Sequence, residues 1–171
     1  MATNVTADVL LDKVKEIAPI IRTHAAEAEA QRRLSRPVVD AMLQAGLYSM
    51  ARPKVFGGLE VDPLTMFRVI EEVARHDSAA GWNVQIAAAT NCNMAWLPDE
   101  GAAEILKSHS NTIIAGSFTP GPRAMPVDGG YRLSGRCPFF SGGHDAGEKS
   151  QLKISGETSY GQGPPQTSAL S

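Results

Sequence analysis

The sequence predicts an α+β fold in which a helical bundle comes first and an antiparallel sheet begins after it. Apolar residues recur at three- and four-residue spacing as far as Leu106, the spacing typical of amphipathic helices. Runs of β-branched residues and a glycine turn follow only after Asn111. The 171 residues, 43% of them hydrophobic and 20% charged, suffice for one packed domain or slightly more.

Composition also narrows the class of partner. The net charge of −2 argues against nucleic acid and against an anionic membrane surface as binding partners. No apolar run reaches the roughly 18 to 20 residues that cross a bilayer. Cys92 and Cys137 lack CxxC spacing, and no secretory signal precedes them. We therefore expect a cytoplasmic protein.

The first helices are predicted from apolar spacing and from their end signals. One helix runs from Val9 through the alanine- and glutamate-rich stretch 25–31, with Pro19 as the point where it would kink. Ser35 is a candidate N-cap for the second helix, and Gly46 stands where a left-handed residue would end it. Asp62 begins a third helix that ends near residue 76.

The fourth helix, 78–97, carries no charged side chain, so we expect it at the centre of the bundle. A short amphipathic helix, 98–106, follows it. Strands are then predicted over 112–118, over 124–127 and 131–133 as a hairpin across Asp128-Gly129-Gly130, and over 136–140. The resulting boundaries are a helical domain (1–110), a partial β-domain (111–145) and a polar tail (146–171) that we expect to be disordered.

Most catalytic motifs are absent from the sequence. The four histidines are dispersed and have no metal-ligand spacing. Neither a dinucleotide-binding GxGxxG, nor a phosphate-binding loop, nor a GxSxG elbow occurs. Two strand-like segments, 116–123 and 136–143, combine backbone amides, small hydroxyl residues and aromatics, which could bind the edge and face of a flat heteroaromatic ring. From the residues alone, two ordinary strands with Ser and Gly at their ends are the better explanation of these segments.

Several motifs in this order resemble the N-terminal half of the acyl-CoA dehydrogenase superfamily, over residues 25–145. They are Leu43-Gln44-Ala45-Gly46-Leu47, Arg52-Pro53-Lys54-Val55-Phe56-Gly57-Gly58, Asp77-Ser78-Ala79-Ala80-Gly81-Trp82, Ile113-Ile114-Ala115-Gly116-Ser117-Phe118-Thr119-Pro120-Gly121 and Phe139-Phe140-Ser141-Gly142. The chain reads Thr-Pro-Gly-Pro from Thr119, whereas dehydrogenases carry Thr-Glu-Pro. It therefore looks more like the oxygenase components of two-component flavin-dependent aromatic monooxygenases, while acyl-CoA dehydrogenation stays open.

The resemblance implies a flavin cofactor, FAD or FMN, and a small-molecule substrate. The residues it assigns to the flavin are Gly116, Ser117, Phe118 and Thr119 on the pyrimidine side and Phe139, Phe140 and Ser141 near N5. It assigns Thr90 and Asn91 to the substrate, although some of these oxygenases carry a histidine where Thr90 stands, and a tryptophan where Cys137 stands. A separate flavin reductase and, for full-length members, a homotetramer are also implied.

Family members continue into a C-terminal helical bundle that has no counterpart in this sequence. We therefore expect an N-terminal fragment of a flavin-dependent oxidoreductase, with little activity as an isolated chain. The alternative is a non-catalytic truncated product or a helical interaction module without flavin binding.

Overall fold

The computed structural model describes residues 6–108, 113–116, 123–135 and 140–145, and it confirms helices followed by an antiparallel hairpin. The elements are α1 (Ala7–Thr23), α2 (Ala25–Gln31), α3 (Arg36–Gln44), α4 (Pro63–His76), α5 (Ser78–Cys92), α6 (Asp99–Ser108), β1 (Arg123–Val127) and β2 (Gly130–Ser134). The predicted domain boundaries stay a prediction, and the predicted tail, 146–171, lies outside the described residues.

The first predicted helix is in fact two helices. α1 continues through Pro19 and ends at Thr23, and α2 begins after His24. The imidazole Nδ1 of His24 lies 2.9 Å from the carbonyl oxygen of Ile20, an acceptor that the helix itself uses, and this local bond competes with helix continuation. The single helix predicted here is therefore interrupted at His24, whereas α1 stays helical through Pro19.

The core lies between α1, α3, α4 and α5, with α4 packed on both α1 and α5. Its fully buried side chains include Leu10, Val14, Ile21, Val39, Met42, Val69, Val73 and Val84. Gly46 has φ +80° after the end of α3, as its predicted left-handed role requires. Ser35 does precede α3, but its side chain makes no capping hydrogen bond.

Two aspartates cap the helices that position the candidate site. The carboxylate of Asp62 accepts from the Thr65 amide at 3.0 Å, and that of Asp77 accepts from the Ala80 amide at 2.7 Å. α4 and α5 approach closely at Gly81, where an added Cβ would lie 2.6 Å from the Cβ of Ala74. Only a glycine lets the two helix backbones come this near.

The expectation that residues 78–97 form one central, all-round buried helix is only half correct. Ala80, Val84 and Ala88 are completely buried, yet Trp82 and Gln85 on the opposite face are exposed. α5 also ends at Cys92 and passes into a 3₁₀ turn, Asn93–Trp96. The described structure thus covers one side of an uncharged helix and leaves its other side to solvent.

The hairpin forms with the predicted turn. β1 and β2 pair antiparallel, with Ala124 opposite Leu133 and Val127 opposite Gly130. Residues 113–116 form no strand, which corrects the described part of the prediction for 112–118, although Ile113 is buried. Four residues of the predicted strand 136–140 lie outside the described residues.

Candidate functional site

The structure describes five of the nine predicted site residues: Thr90, Asn91, Gly116, Phe140 and Ser141. The other four, Ser117, Phe118, Thr119 and Phe139, lie outside the described residues. The five are distributed over helix α5 and two segments that lie against it, 113–116 and 140–145. α5 therefore organises both halves of the predicted flavin site.

Segment 113–116 is held on α5 through Thr90. The Thr90 hydroxyl lies within hydrogen-bonding distance of the carbonyl oxygen of Ile114, and also 2.8 Å from that of Ile86 and 3.1 Å from that of Ala87. A Cβ on Gly116 would lie 2.7 Å from Cγ2 of Thr90. Thr90 is buried and its hydroxyl bonds to backbone carbonyl oxygens. The structure therefore places it in contact with the predicted flavin segment, and its predicted substrate role stays a prediction.

Asn91 is completely buried, and its amide links α5 to the loop before α4. Its Oδ1 accepts from Nε of Arg52 at 2.8 Å, and its Nδ2 donates to the carbonyl oxygen of Ala87 at 2.9 Å. Arg52 is itself 1% exposed, and burial lowers the pKa of its guanidinium. A hydrophobicity pattern gives no signal for a buried arginine, so sequence reasoning missed Arg52 as a site residue.

Segment 140–145 is joined to the other end of α5 through Trp82. The indole Nε1–H of Trp82 donates to Oγ of Ser141 at 3.0 Å. The Trp82 side chain is 53% exposed, and Phe140 beside Ser141 is also exposed. Sequence reasoning missed Trp82 as a site residue, and a tryptophan in an otherwise small-residue, uncharged helix was the signal available.

A buried polar atom lies beside the same segment. Asn83 is 8% exposed and, within the described ranges, its Oδ1 has no hydrogen-bond partner. Gly142 lies against this amide, since a Cβ there would be 3.4 Å from Nδ2 of Asn83. An unpaired buried acceptor has a free-energy cost unless a further donor reaches it.

The last described residue of this segment, Asp145, is half-buried near the start of α3. Burial raises the pKa of its carboxyl, against the opposite effect of the Arg36, His144 and Arg33 charges. The backbone of the segment folds into two successive turns, Gly143 N–H to Phe140 O and Asp145 N–H to Gly142 O, each 3.0 Å.

A separate cavity of about 380 Å³ lies farther along α5. Met66, Cys92, Trp96 and Glu60 are among the residues that line it. It includes none of the predicted site residues.

Across the described ranges, no three His, Cys, Asp or Glu side chains come together as candidate metal ligands. Within the same part of the chain, no helix is both long and apolar enough to cross a membrane.

Residues 8–111 match the family model described as acyl-CoA dehydrogenase, N-terminal domain, which covers more than half of the chain. The chain belongs to this family. The solved structure of XiaF from Streptomyces, in complex with FADH2 and glycerol, aligns at TM-score 0.74 and 28% identity over 78% of this chain. The 3-HSA hydroxylase from Rhodococcus aligns at TM-score 0.75 over 80% of the chain and, at 23% identity, supports the fold alone.

Among curated relatives of this acyl-CoA dehydrogenase family chain, indole-3-acetate monooxygenase of Pseudomonas putida is 35% identical over 142 residues, 83% of the chain. The oxygenase component of an FADH2-dependent resorcinol hydroxylase of Rhizobium is 28% identical over 137 residues, 80% of the chain. These relatives confirm the predicted resemblance to monooxygenase oxygenase components. The chain spans about a third of their length, 35% and 34%, and a similar 34% of XiaF.

Proposed function

We propose that this chain supplies the N-terminal part of the flavin site in the oxygenase component of a flavin-dependent monooxygenase that hydroxylates an aromatic substrate. The observation that carries the proposal is that α5 holds both predicted flavin segments, 113–116 through Thr90 and 140–145 through Trp82. The FADH2-dependent resorcinol hydroxylase and XiaF, which was solved with FADH2, support a reduced flavin as the bound form. A separate flavin reductase would then deliver it.

The residues present fit a flat, fused-ring cofactor. Trp82 and Thr90 are eight residues apart on α5, or roughly 12 Å along the helix axis. Gly116 carries no side chain between its backbone and α5. The exposed rings of Trp82 and Phe140 offer apolar surface. Oδ1 of Asn83, which has no hydrogen-bond partner among the described residues, is an acceptor beside Gly142 and suits a ring N–H.

Each end of the site has a distinct chemical task. When bound, a reduced flavin would supply the two electrons for O₂ activation, one oxygen atom entering the substrate ring and the other leaving as water. Backbone amides of the segment that begins at Gly116 would donate to the pyrimidine edge and stabilise its negative charge. The Trp82 indole orients the hydroxyl of Ser141, whose proton then becomes available toward N5. The uncharged, exposed face of α5 gives the aromatic substrate an apolar wall.

The test uses the two tryptophans of the chain as separate reporters. In the Trp96→Phe variant, Trp82 alone emits, and we expect saturable quenching of its fluorescence when reduced FAD or FMN is added without oxygen. The matched Trp82→Phe variant leaves Trp96, which lines the separate cavity, and we expect little change. Emission of Trp82 that stays constant with both flavins, oxidised and reduced, would contradict the proposal. Such a result would favour the non-catalytic alternative for this chain.

A further inference from the structure

The cavity of about 380 Å³ beside the end of α5 has no part in the proposed function. The loop 51–62 and the start of α4 form one wall of it, and the end of α5 with the 3₁₀ turn Asn93–Trp96 forms the other. Small-molecule sites in proteins have volumes of roughly 300–1,000 Å³. The cavity is therefore large enough for a ligand at the small end of this range.

The loop wall of the cavity is already formed in the chain without a ligand. The two arms of the loop pair through backbone bonds, Glu60 N–H to Arg52 O at 3.1 Å and Val61 N–H to Met50 O at 3.0 Å. The buried side chain of Arg52 also ties the loop to α5, since its Nε donates to Asn91 Oδ1 at 2.8 Å. A wall that is ordered beforehand lowers the entropy cost of binding.

Glu60 is the one charged residue among the described residues that line the cavity, and its backbone is strained. Its φ is +47°, a left-handed value that a glutamate rarely adopts. Its Oε2 accepts from the backbone amide of Lys54 at 2.6 Å, which fixes the carboxylate in place. A carboxylate accepts several hydrogen bonds, so this one bond leaves capacity for a ligand donor. Backbone strain of this kind is found preferentially at functional sites.

The lining also defines the chemistry of the ligand. Besides Glu60, Cys92 and Asn93, the lining residues are apolar: Ala51, Val61, Pro63, Met66, Ala89 and Trp96. A thioether and an indole face both favour contact with an aromatic ring. A carboxylate favours an ammonium group, with which it forms a charge-assisted hydrogen bond. None of the described lining residues is basic, so the cavity offers an anionic ligand no charge partner.

We infer that this cavity is a binding site for a small aromatic amine, whose ring lies against Met66 and Trp96 and whose ammonium group bonds to Glu60. The inference goes beyond the proposed function and does not depend on flavin binding, because none of the described flavin-site residues lines the cavity.

The first experiment follows the emission of Trp96 in the full chain with Trp82→Phe, which removes the other tryptophan. The probes are 2-phenylethylamine, 2-phenylethanol and phenylacetate, which have similar sizes and are cationic, neutral and anionic. We expect a saturable change with the amine, which should bind about three- to tenfold more tightly than the alcohol. Phenylacetate should bind most weakly of the three.

The Glu60→Gln variant tests the role of the carboxylate. Glutamine keeps an acceptor for the Lys54 amide but carries no charge, so the amine and the alcohol should then bind equally. Glu16→Gln, at an exposed position on α1, is the matched control and should keep the preference for the amine. A preference for the amine that persists in Glu60→Gln would overturn the inference. If Glu60→Gln fails to fold, equal affinity of the three probes for the chain with Glu60 would overturn it.

A second measurement shows whether the probe lies in the cavity. Cys137→Ser leaves Cys92 as the one thiol of the chain, and 2-phenylethylamine should slow its alkylation by N-ethylmaleimide several-fold. An amine that changes neither the emission of Trp96 nor the alkylation of Cys92 would overturn the inference. A chain that binds the amine as expected but binds no flavin would contradict the proposed function and leave this site supported.

Discussion

Gly116 lies so close to Thr90 that a Cβ at position 116 would stand 2.7 Å from the Thr90 methyl carbon. Carbon atoms do not approach this closely without displacement of one of them. The side chain of Thr90 therefore sets the distance between α5 and the segment on which the predicted flavin strand begins. The Thr90 hydroxyl holds the segment by its hydrogen bond to Ile114, and the Thr90 methyl group limits how closely Gly116 can approach. Together these two contacts fix the position of segment 113–116 on α5.

The first prediction concerns the contact between Gly116 and Thr90. Gly116→Ala should lower the free energy of unfolding by about 1–3 kcal/mol, since the added methyl overpacks against Thr90. Thr90→Ser removes the methyl group and keeps the hydroxyl. The double variant Thr90→Ser/Gly116→Ala should therefore lose less unfolding free energy than the two single variants lose when their losses are added. Urea unfolding of the four proteins measures the coupling. Strict additivity would show that the two residues do not touch.

A second prediction compares two helical glycines in different surroundings. Gly81→Ala should destabilise the chain by about 1–3 kcal/mol, because its methyl would meet Ala74 at 2.6 Å and force α4 and α5 apart. Around Gly101 in α6, no described heavy atom outside its own helix lies within 4 Å of the new methyl, so Gly101→Ala should stabilise the chain by about 0.5–1 kcal/mol. Thermal unfolding of both variants gives the two signs. A stabilising Gly81→Ala would be inconsistent with the close α4–α5 contact.

A third prediction follows from the raised pKa of Asp145. The folded-state pKa lies above the ordinary value of 3.8, so the folded chain binds this proton more tightly than the unfolded chain does. The stability associated with the proton is therefore present below pH 3.8 and is lost as the pH rises through the folded pKa. Asp145→Asn removes the cost of burying the carboxylate and should raise the melting temperature at neutral pH.

The difference between Asp145→Asn and the unaltered chain should shrink as the pH falls through the folded pKa and below 3.8, because only there is the carboxyl protonated in both states. Melting temperatures measured between pH 4 and pH 8 follow this convergence. Asp40→Asn is a useful control, because the Asp40 carboxylate pairs with Arg36 at the surface. This variant should not raise the melting temperature at neutral pH. An Asp145→Asn variant that is less stable at neutral pH would show that the attraction of the carboxylate to the Arg36 charge outweighs burial.

A fourth prediction concerns the hydroxyl of Tyr48, a side chain that is 1% exposed. Among the described residues, this hydroxyl has no hydrogen-bond partner, and burial raises its pKa far above the ordinary value. Tyr48→Phe should therefore leave stability unchanged or raise it by up to about 1 kcal/mol. Tyr48→Ala, which removes the ring as well, should cost about 3–5 kcal/mol. A clear loss of stability in Tyr48→Phe, measured by urea unfolding, would indicate that the hydroxyl has a partner after all.

The helices and the hairpin were predictable because their signals are local. Asp62 caps α4 through an amide three residues away, and the Asp128-Gly129 turn joins strands that are its immediate neighbours. The break at His24 was missed, since neither helix spacing nor composition reports a single side chain that binds its own helix. The short-range part of the fold thus followed from spacing, caps and turns.

The site depended on contacts between distant residues. Trp82 reaches Ser141 over 59 positions, and Arg52 reaches Asn91 over 39. Resemblance to the acyl-CoA dehydrogenase family marked Ser141 and Asn91 without their partners. By itself the sequence determined the order of helices and strands, because periodicity, caps and turns act within a few residues, and the resemblance of its motifs indicated the family. Only the tertiary structure decided which face of α5 is open and which arginine is buried, because burial is set by what the rest of the chain brings against each side chain.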